Sequence, residues 1–138
     1  MYSERKQIAK GVYLTNIPAD KFKSNYIQIR FIMPLAKDTA AKNALVFPVI
    51  LRGTEKYPSL SDMRRRKQEL YDSGVWSGHW KHGDNHIVSI EASSLRNSYA
   101  IDDTDITDGV LDLIEQVILH PVTENGVFKA ESVEGEKK

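Results

Sequence analysis

Lys42-Asn43-Ala44-Leu45-Val46-Phe47-Pro48-Val49-Ile50-Leu51-Arg52-Gly53-Thr54 holds eight consecutive apolar residues, closed by a basic residue, a glycine and a threonine. Such a run is either a buried strand or part of a helix apolar on every side, and periodicity does not separate the two. The alanine-rich segment from Lys37 to Asn43, with Asp38 as a candidate N-cap, points to a helix that starts near Thr39 and runs toward Gly53. Pro48 then falls inside it. An interior proline removes a hydrogen bond at a cost of about 3 kcal/mol, so a kink is expected, or a short helix propped by burial. The strand alternative stays open on residues alone. In either fold, no side chain between Asn43 and Arg52 binds a metal, takes a proton or attacks a carbonyl, so the run carries no chemistry of its own.

Upstream, Gly11-Val12-Tyr13-Leu14-Thr15 is a short β-favouring run ahead of Pro18. A period-two strand follows, with Ile27, Ile29, Phe31 and Met33 on one face and Tyr26, Gln28 and Arg30 on the other, until Pro34 limits it. Downstream, Ser59 with Asp62 three residues on resembles a capping box. Leu60, Met63, Lys67, Leu70 and Tyr71 trace one helix face, and Gly74 is expected to stop that helix. Val75 to Lys81 and His86 to Ala92 read as a hairpin joined by His82-Gly83-Asp84-Asn85. From Asp105 to Leu119 apolar residues recur at helical spacing (Ile106, Val110, Leu111, Leu113, Ile114, Val117, Ile118), and Pro121 forces the end. A last helix is expected to begin near Asn125 and carry Phe128. Its remainder, Glu131 to Lys138, has no capping or turn signal, as if cut inside an element.

The chain has 138 residues, the size of one modest domain. Nineteen basic residues balance nineteen acidic ones, so no global field draws it to nucleic acid or to an anionic membrane. Without cysteine there is no disulfide, thiolate metal site or cysteine nucleophile. The segment Met1 to Gln7 is charged and unlike a signal peptide, and no apolar run approaches the roughly 20 residues that span a bilayer. A cytoplasmic protein is expected.

Three clusters invite chemistry. His79, His82 and His86 lie within eight residues, and imidazole is a common zinc ligand, yet on a hairpin His79 and His82 point to opposite faces. Asp102 to Gly109 looks like a calcium loop, but a loop starting at Asp103 needs glycine sixth and glutamate twelfth, where Asp108 and Ile114 stand. Capping of the following helix explains those acids better. Arg64-Arg65-Arg66-Lys67 reads as a solvated helix face, since no aromatic residue interleaves it. No phosphate-cradling glycine motif and no G-x-S-x-G is present.

In order along the chain stand a strand at Ile27–Met33, a helix ending in Arg52-Gly53-Thr54, a helix start at Tyr57-Pro58-Ser59 and Leu70-Tyr71-x-x-Gly74. An alternating hairpin and Ile118-Leu119-x-Pro121 come next, and Val127-Phe128 to Glu136-Lys137 complete the pattern. The sequence resembles the N-terminal part of the pitrilysin/insulinase family of zinc metallopeptidases, which includes the mitochondrial processing peptidase. Lys21-Phe22-Lys23-Ser24-Asn25, Leu70-Tyr71 and Glu136-Lys137 resemble its bacterial inactive-subunit branch. The resemblance implies an α+β fold, a mainly antiparallel sheet packed against helices, as in the first half of a processing-peptidase-like metallohydrolase domain. It further implies that residues 1–138 form a single truncated N-terminal domain of a longer protein.

In active relatives the helix before Gly-Thr carries H-x-x-E-H, two zinc-binding histidines and a general-base glutamate. Carried over from Gly53-Thr54, those positions are Ala44, Phe47 and Pro48, and none of the three ligates zinc or accepts a proton. No catalytic zinc and no other cofactor is expected. The family's third ligand is a glutamate, and Glu131, Glu134 and Glu136 are near its place without aligning to it. The resemblance implies a non-catalytic subunit that pairs with an active sister peptidase around a peptide substrate. An open sheet edge adds a tendency to self-association. Two alternatives stand beside this reading: a metal-dependent peptidase with its site moved to His79, His82 or His86, and a plain protein-interaction domain.

Overall fold

Alternation along Ser24–Pro34 (β3) sets the core face of the main sheet. The computed structural model describes residues 2–137. In it β3 pairs antiparallel with Asn85–Leu95 (β5), which pairs antiparallel with Gly74–His82 (β4), in the order β3-β5-β4. The register places Ile27 opposite Ala92, Ile29 opposite Ile90 and Phe31 opposite Val88, all on the side that faces the helices. β4 leads into β5 through a tight turn in which Gly83 has a φ of +57°. The expected α+β class and antiparallel hairpin are therefore present.

The helices are Ala40–Ile50 (α1), Leu60–Glu69 (α2), Ile106–Leu119 (α3) and Ala130–Glu136 (α4). α3 is the amphipathic one, with Ile106, Val110, Leu113 and Val117 fully buried at helical spacing against the sheet. Each such side chain contributes about 1.5–3 kcal/mol relative to exposure. Asp105 caps it by accepting from the Asp108 amide at 2.9 Å. Gly109 faces the C-terminal end of α2, where an added Cβ would overlap the Leu70 side chain unless that side chain moved aside.

α1 is a helix, which resolves the ambiguity of the apolar run. Pro48 lies inside it and deprives the Ala44 carbonyl of its usual amide donor. The helix runs unbroken through eleven residues, propped by the burial of Phe47, Val49 and Ile50. It ends by tightening: the amides of Arg52 and Gly53 bond three residues back, to Val49 and Ile50.

Four expectations need correction. A strand not expected from the sequence, Glu4–Ala9 (β1), pairs with Val12–Asn16 (β2), and every residue of both is exposed. Its charged residues hide the strand because no face meets a core. Backbone pairing and the Arg5 guanidinium 4.6 Å over the Tyr13 ring accompany it instead. α2 stops at Glu69 rather than near Gly74, because Tyr71 and Asp72 adopt left-handed φ values of 58° and 57°. Leu60 and Leu111, which helical spacing groups with the apolar residues of α2 and α3, are 41% and 47% exposed. The last helix begins at Ala130, after a turn at Asn125-Gly126, and not near Asn125.

Candidate functional site

Ala44, Phe47 and Pro48, the positions onto which the resemblance would carry the zinc motif, lie on one side of α1, since residues three and four apart are neighbours on a helix. Ala44 and Pro48 are half-buried, one turn apart. Phe47 is buried in the core with its ring 5.2 Å from that of Phe31 on β3. A methyl, a phenyl and a pyrrolidine ring thus fill the face where chemistry would require two imidazoles and a carboxylate. They offer packing in place of lone pairs.

The segment just after α1 is held tightly. Gly53 is buried against the backbone at the start of α2, and a Cβ there would lie 2.6 Å from the Pro58 carbonyl oxygen. Thr54, fully buried, donates its amide to the Tyr57 carbonyl at 2.8 Å, and its hydroxyl accepts from the Tyr57 amide at 3.0 Å. The Glu55 amide bonds the His120 carbonyl at 2.9 Å, and Thr54 bridges Pro121. Gly53-Thr54 therefore ties the end of α1 to the start of α2 and the end of α3, a structural role that is independent of any metal. Arg52 reaches α4, where its guanidinium pairs with Glu136 at 2.8 Å and abuts Gly135. Glu134 pairs with Lys137, and Glu131 is exposed in the first turn of α4.

The histidines do not converge as a trio. His79 and His86 stand diagonally across β4 and β5 on the helix-facing side, with ring centroids 6.0 Å apart, whereas His82 is at the turn on the opposite face. No group of three His, Asp or Glu side chains able to hold a metal forms among the described residues. The relocated three-histidine site is thereby corrected: strand alternation separates its members. Asp102 and Asp105 serve the α3 entry. Asp102 accepts from the Tyr71 hydroxyl and the Thr104 amide, and Asp105 accepts from the Asp108 amide and Asn97. Contacts with Thr104, and with the Asp108 amide, hold these carboxyls below the usual aspartate range. Of the basic run, Arg64 and Arg65 are solvated, but Arg66 lies against Gly109 and Glu69, and the Lys67 amine bonds the Val75 carbonyl at 3.1 Å. Burial, and then the nearby Arg64 charge, pushes the Lys67 amine below its ordinary value.

One cluster has no counterpart in the sequence pattern. On the face of the sheet away from the helices, Glu91 accepts from the Tyr26 hydroxyl at 2.5 Å and from the Ser89 hydroxyl at 2.8 Å. Tyr26 leans on Trp76 at 6.3 Å, and the Arg30 guanidinium lies 5.5 Å over the Trp80 ring. Alternation puts Tyr26 and Arg30 on one face of β3, but only the register of three strands brings Trp76, Trp80, Ser89 and Glu91 beside them. The Tyr26 hydrogen bond, opposed by burial and aided by Ser89, Gln28 and Trp76, holds the Glu91 carboxyl below the usual glutamate range. A depressed carboxyl stabilises the fold above its unfolded value, and that contribution is lost as pH falls through the folded value. Tyr26→Phe is therefore expected to destabilise by roughly 0.5–1 kcal/mol at neutral pH, after allowance for solvent screening, and by less on the acid side. Urea unfolding of both proteins at the two pH values checks this, and a deficit that grows in acid would count against it.

No family model matches the chain. Over 136 residues, 99% of the chain, it is 28% identical to the probable inactive metalloprotease YmfF of Bacillus subtilis (strain 168), of which it spans 32%. A crystal structure described as a conserved protein from Enterococcus faecalis V583 superposes with a TM-score of 0.90 at 27% identity, over 98% of this chain and 32% of that one. The chain thus spans about a third of the length of both. It is a homologue of the Bacillus protein across almost all of its own residues, and it shares the fold of the matched third of the Enterococcus protein.

Proposed function

We propose that the chain is the N-terminal part of a longer, non-catalytic homologue of the pitrilysin/insulinase zinc peptidases, and that it acts as the inactive half of a peptide-processing pair. One observation carries this reading. The framework around α1 is intact, with Gly53-Thr54 bonded to α2 and α3 and Arg52 paired with α4, while Ala44, Phe47 and Pro48 supply no ligand and no base. The name of the Bacillus relative, a probable inactive metalloprotease, supports the non-catalytic reading.

The active zinc would reside in a sister subunit with an intact H-x-x-E-H helix, and the two would enclose the peptide between them. Such a pair would work in the cytoplasm. No helix among the described residues is long and apolar enough to cross a membrane. β3 and β4 are the outer strands of their sheet, and these edges support self-association when no partner is present. An interaction domain without a peptidase partner predicts no gain in proteolysis on mixing. Adding this protein to an H-x-x-E-H peptidase encoded beside it is expected to give a complex on size-exclusion chromatography and at least a tenfold gain in peptide hydrolysis. Separate elution with unchanged hydrolysis would refute the pairing.

A further inference from the structure

His86, the second residue of β5, lies on the helix-facing side, 3% exposed, and its Nδ1 is buried without a hydrogen-bond partner among the described residues. Leaving a buried nitrogen without a hydrogen-bond partner is unfavourable, so a partner at that atom would be favoured. Two side chains stand beside it. His79, exposed on β4, has its ring 6.0 Å from that of His86 and nearly perpendicular to it, at 86°. Met33 on β3 lies directly opposite His86 in the register. Side chains so paired have their Cβ atoms about 5 Å apart, so the thioether is within reach of the imidazole.

We propose that His79, His86 and Met33 form a binding site for monovalent copper, independent of the three α1 positions. A separation of 6.0 Å between ring centroids accommodates one ion between two nitrogens at about 2 Å each. The choice of metal rests on the donors. Two imidazoles and a thioether, with no carboxylate or thiolate among the described residues completing a cluster, leave zinc short of its four hard or borderline ligands. A thioether beside imidazoles selects soft Cu(I), which accepts low coordination. The Met33 sulfur accepts from the Asn43 amide on α1 at 3.0 Å, which orients it and leaves its second lone pair for the ion. Because one ligand is exposed and one is buried, the ion would enter from the His79 side.

Anaerobic titration with Cu(I) against bicinchoninate, a competing chelator, tests the site on the whole protein. One equivalent is expected to be withdrawn from the competitor. His79→Ala, at an exposed position, and Met33→Leu, which conserves volume, are each expected to lower Cu(I) affinity at least about tenfold, while His82→Ala leaves it unchanged. These two variants keep the test valid even where His86→Ala fails to fold. Failure of the protein to compete for Cu(I), a loss below about threefold in either variant, or an equal loss in His82→Ala would overturn the assignment.

Discussion

Gly53→Ala is expected to cost about 3 kcal/mol of stability or more and to lower the melting temperature by roughly 10 °C. The added Cβ would fall 2.6 Å from the Pro58 carbonyl oxygen and 2.9 Å from its carbon, and both are backbone atoms. A flexible side chain could swing away from such an overlap, but here the chain at the start of α2 must move. That movement strains the Thr54 amide bond to Tyr57 and the Ser59 cap, which accepts from the Asp62 amide at 3.1 Å. Small domains have about 5–15 kcal/mol in total, so the loss is a large fraction. Urea and thermal unfolding measure it directly. A change under about 0.5 kcal/mol would mean that residues 53–58 yield freely and that the glycine is not required by this contact.

Restoring the motif as Ala44→His, Phe47→Glu and Pro48→His is expected to destabilise by several kcal/mol and to yield no zinc-dependent cleavage. Phe47→Glu removes a buried ring that rests on Phe31, and removal of a buried phenylalanine costs about 3–5 kcal/mol before the carboxylate is considered. The remaining chemistry is incomplete as well. A catalytic zinc of this type needs a third protein ligand, yet Glu136 is engaged by Arg52 and Glu134 by Lys137. The double variant that retains Phe47 separates the two effects: it should fold, bind zinc weakly through two histidines one turn apart, and cleave nothing. Zinc-dependent hydrolysis by either variant would show that the site was one substitution set away from function.

Parts of this fold were legible because local rules and tertiary contacts agree. The alternation of Ile27, Ile29, Phe31 and Met33, the Ser59 cap and the proline stop after α3 each have a single physical reading, and each is present. The run through Phe47 was not, because a buried helix and a buried strand have the same apolar pattern. Tertiary packing decides it in favour of α1 despite Pro48. β1 was hidden because a strand with no buried face has no apolar period. The end of α2 was misplaced because Tyr71 and Asp72 take left-handed conformations without a glycine to announce them.

For the candidate site, the sequence shows directly that Ala44, Phe47 and Pro48 carry no ligand or base, while their correspondence to the zinc motif rests on the resemblance aligned at Gly53-Thr54. The Glu91 cluster and the His79–His86 pair were not, because both arise from cross-strand register. Alternation did separate His82 from His79, which is why the three-histidine reading was already strained on sequence.

Zinc content and peptide hydrolysis of the purified protein, each measured before and after treatment with a chelator, test the central claim most directly. The account predicts substoichiometric zinc and no chelator-sensitive hydrolysis, because α1 presents a methyl, a buried phenyl and a proline ring at the three positions that would bind or activate. One zinc per chain, together with hydrolysis abolished by the chelator, would contradict it.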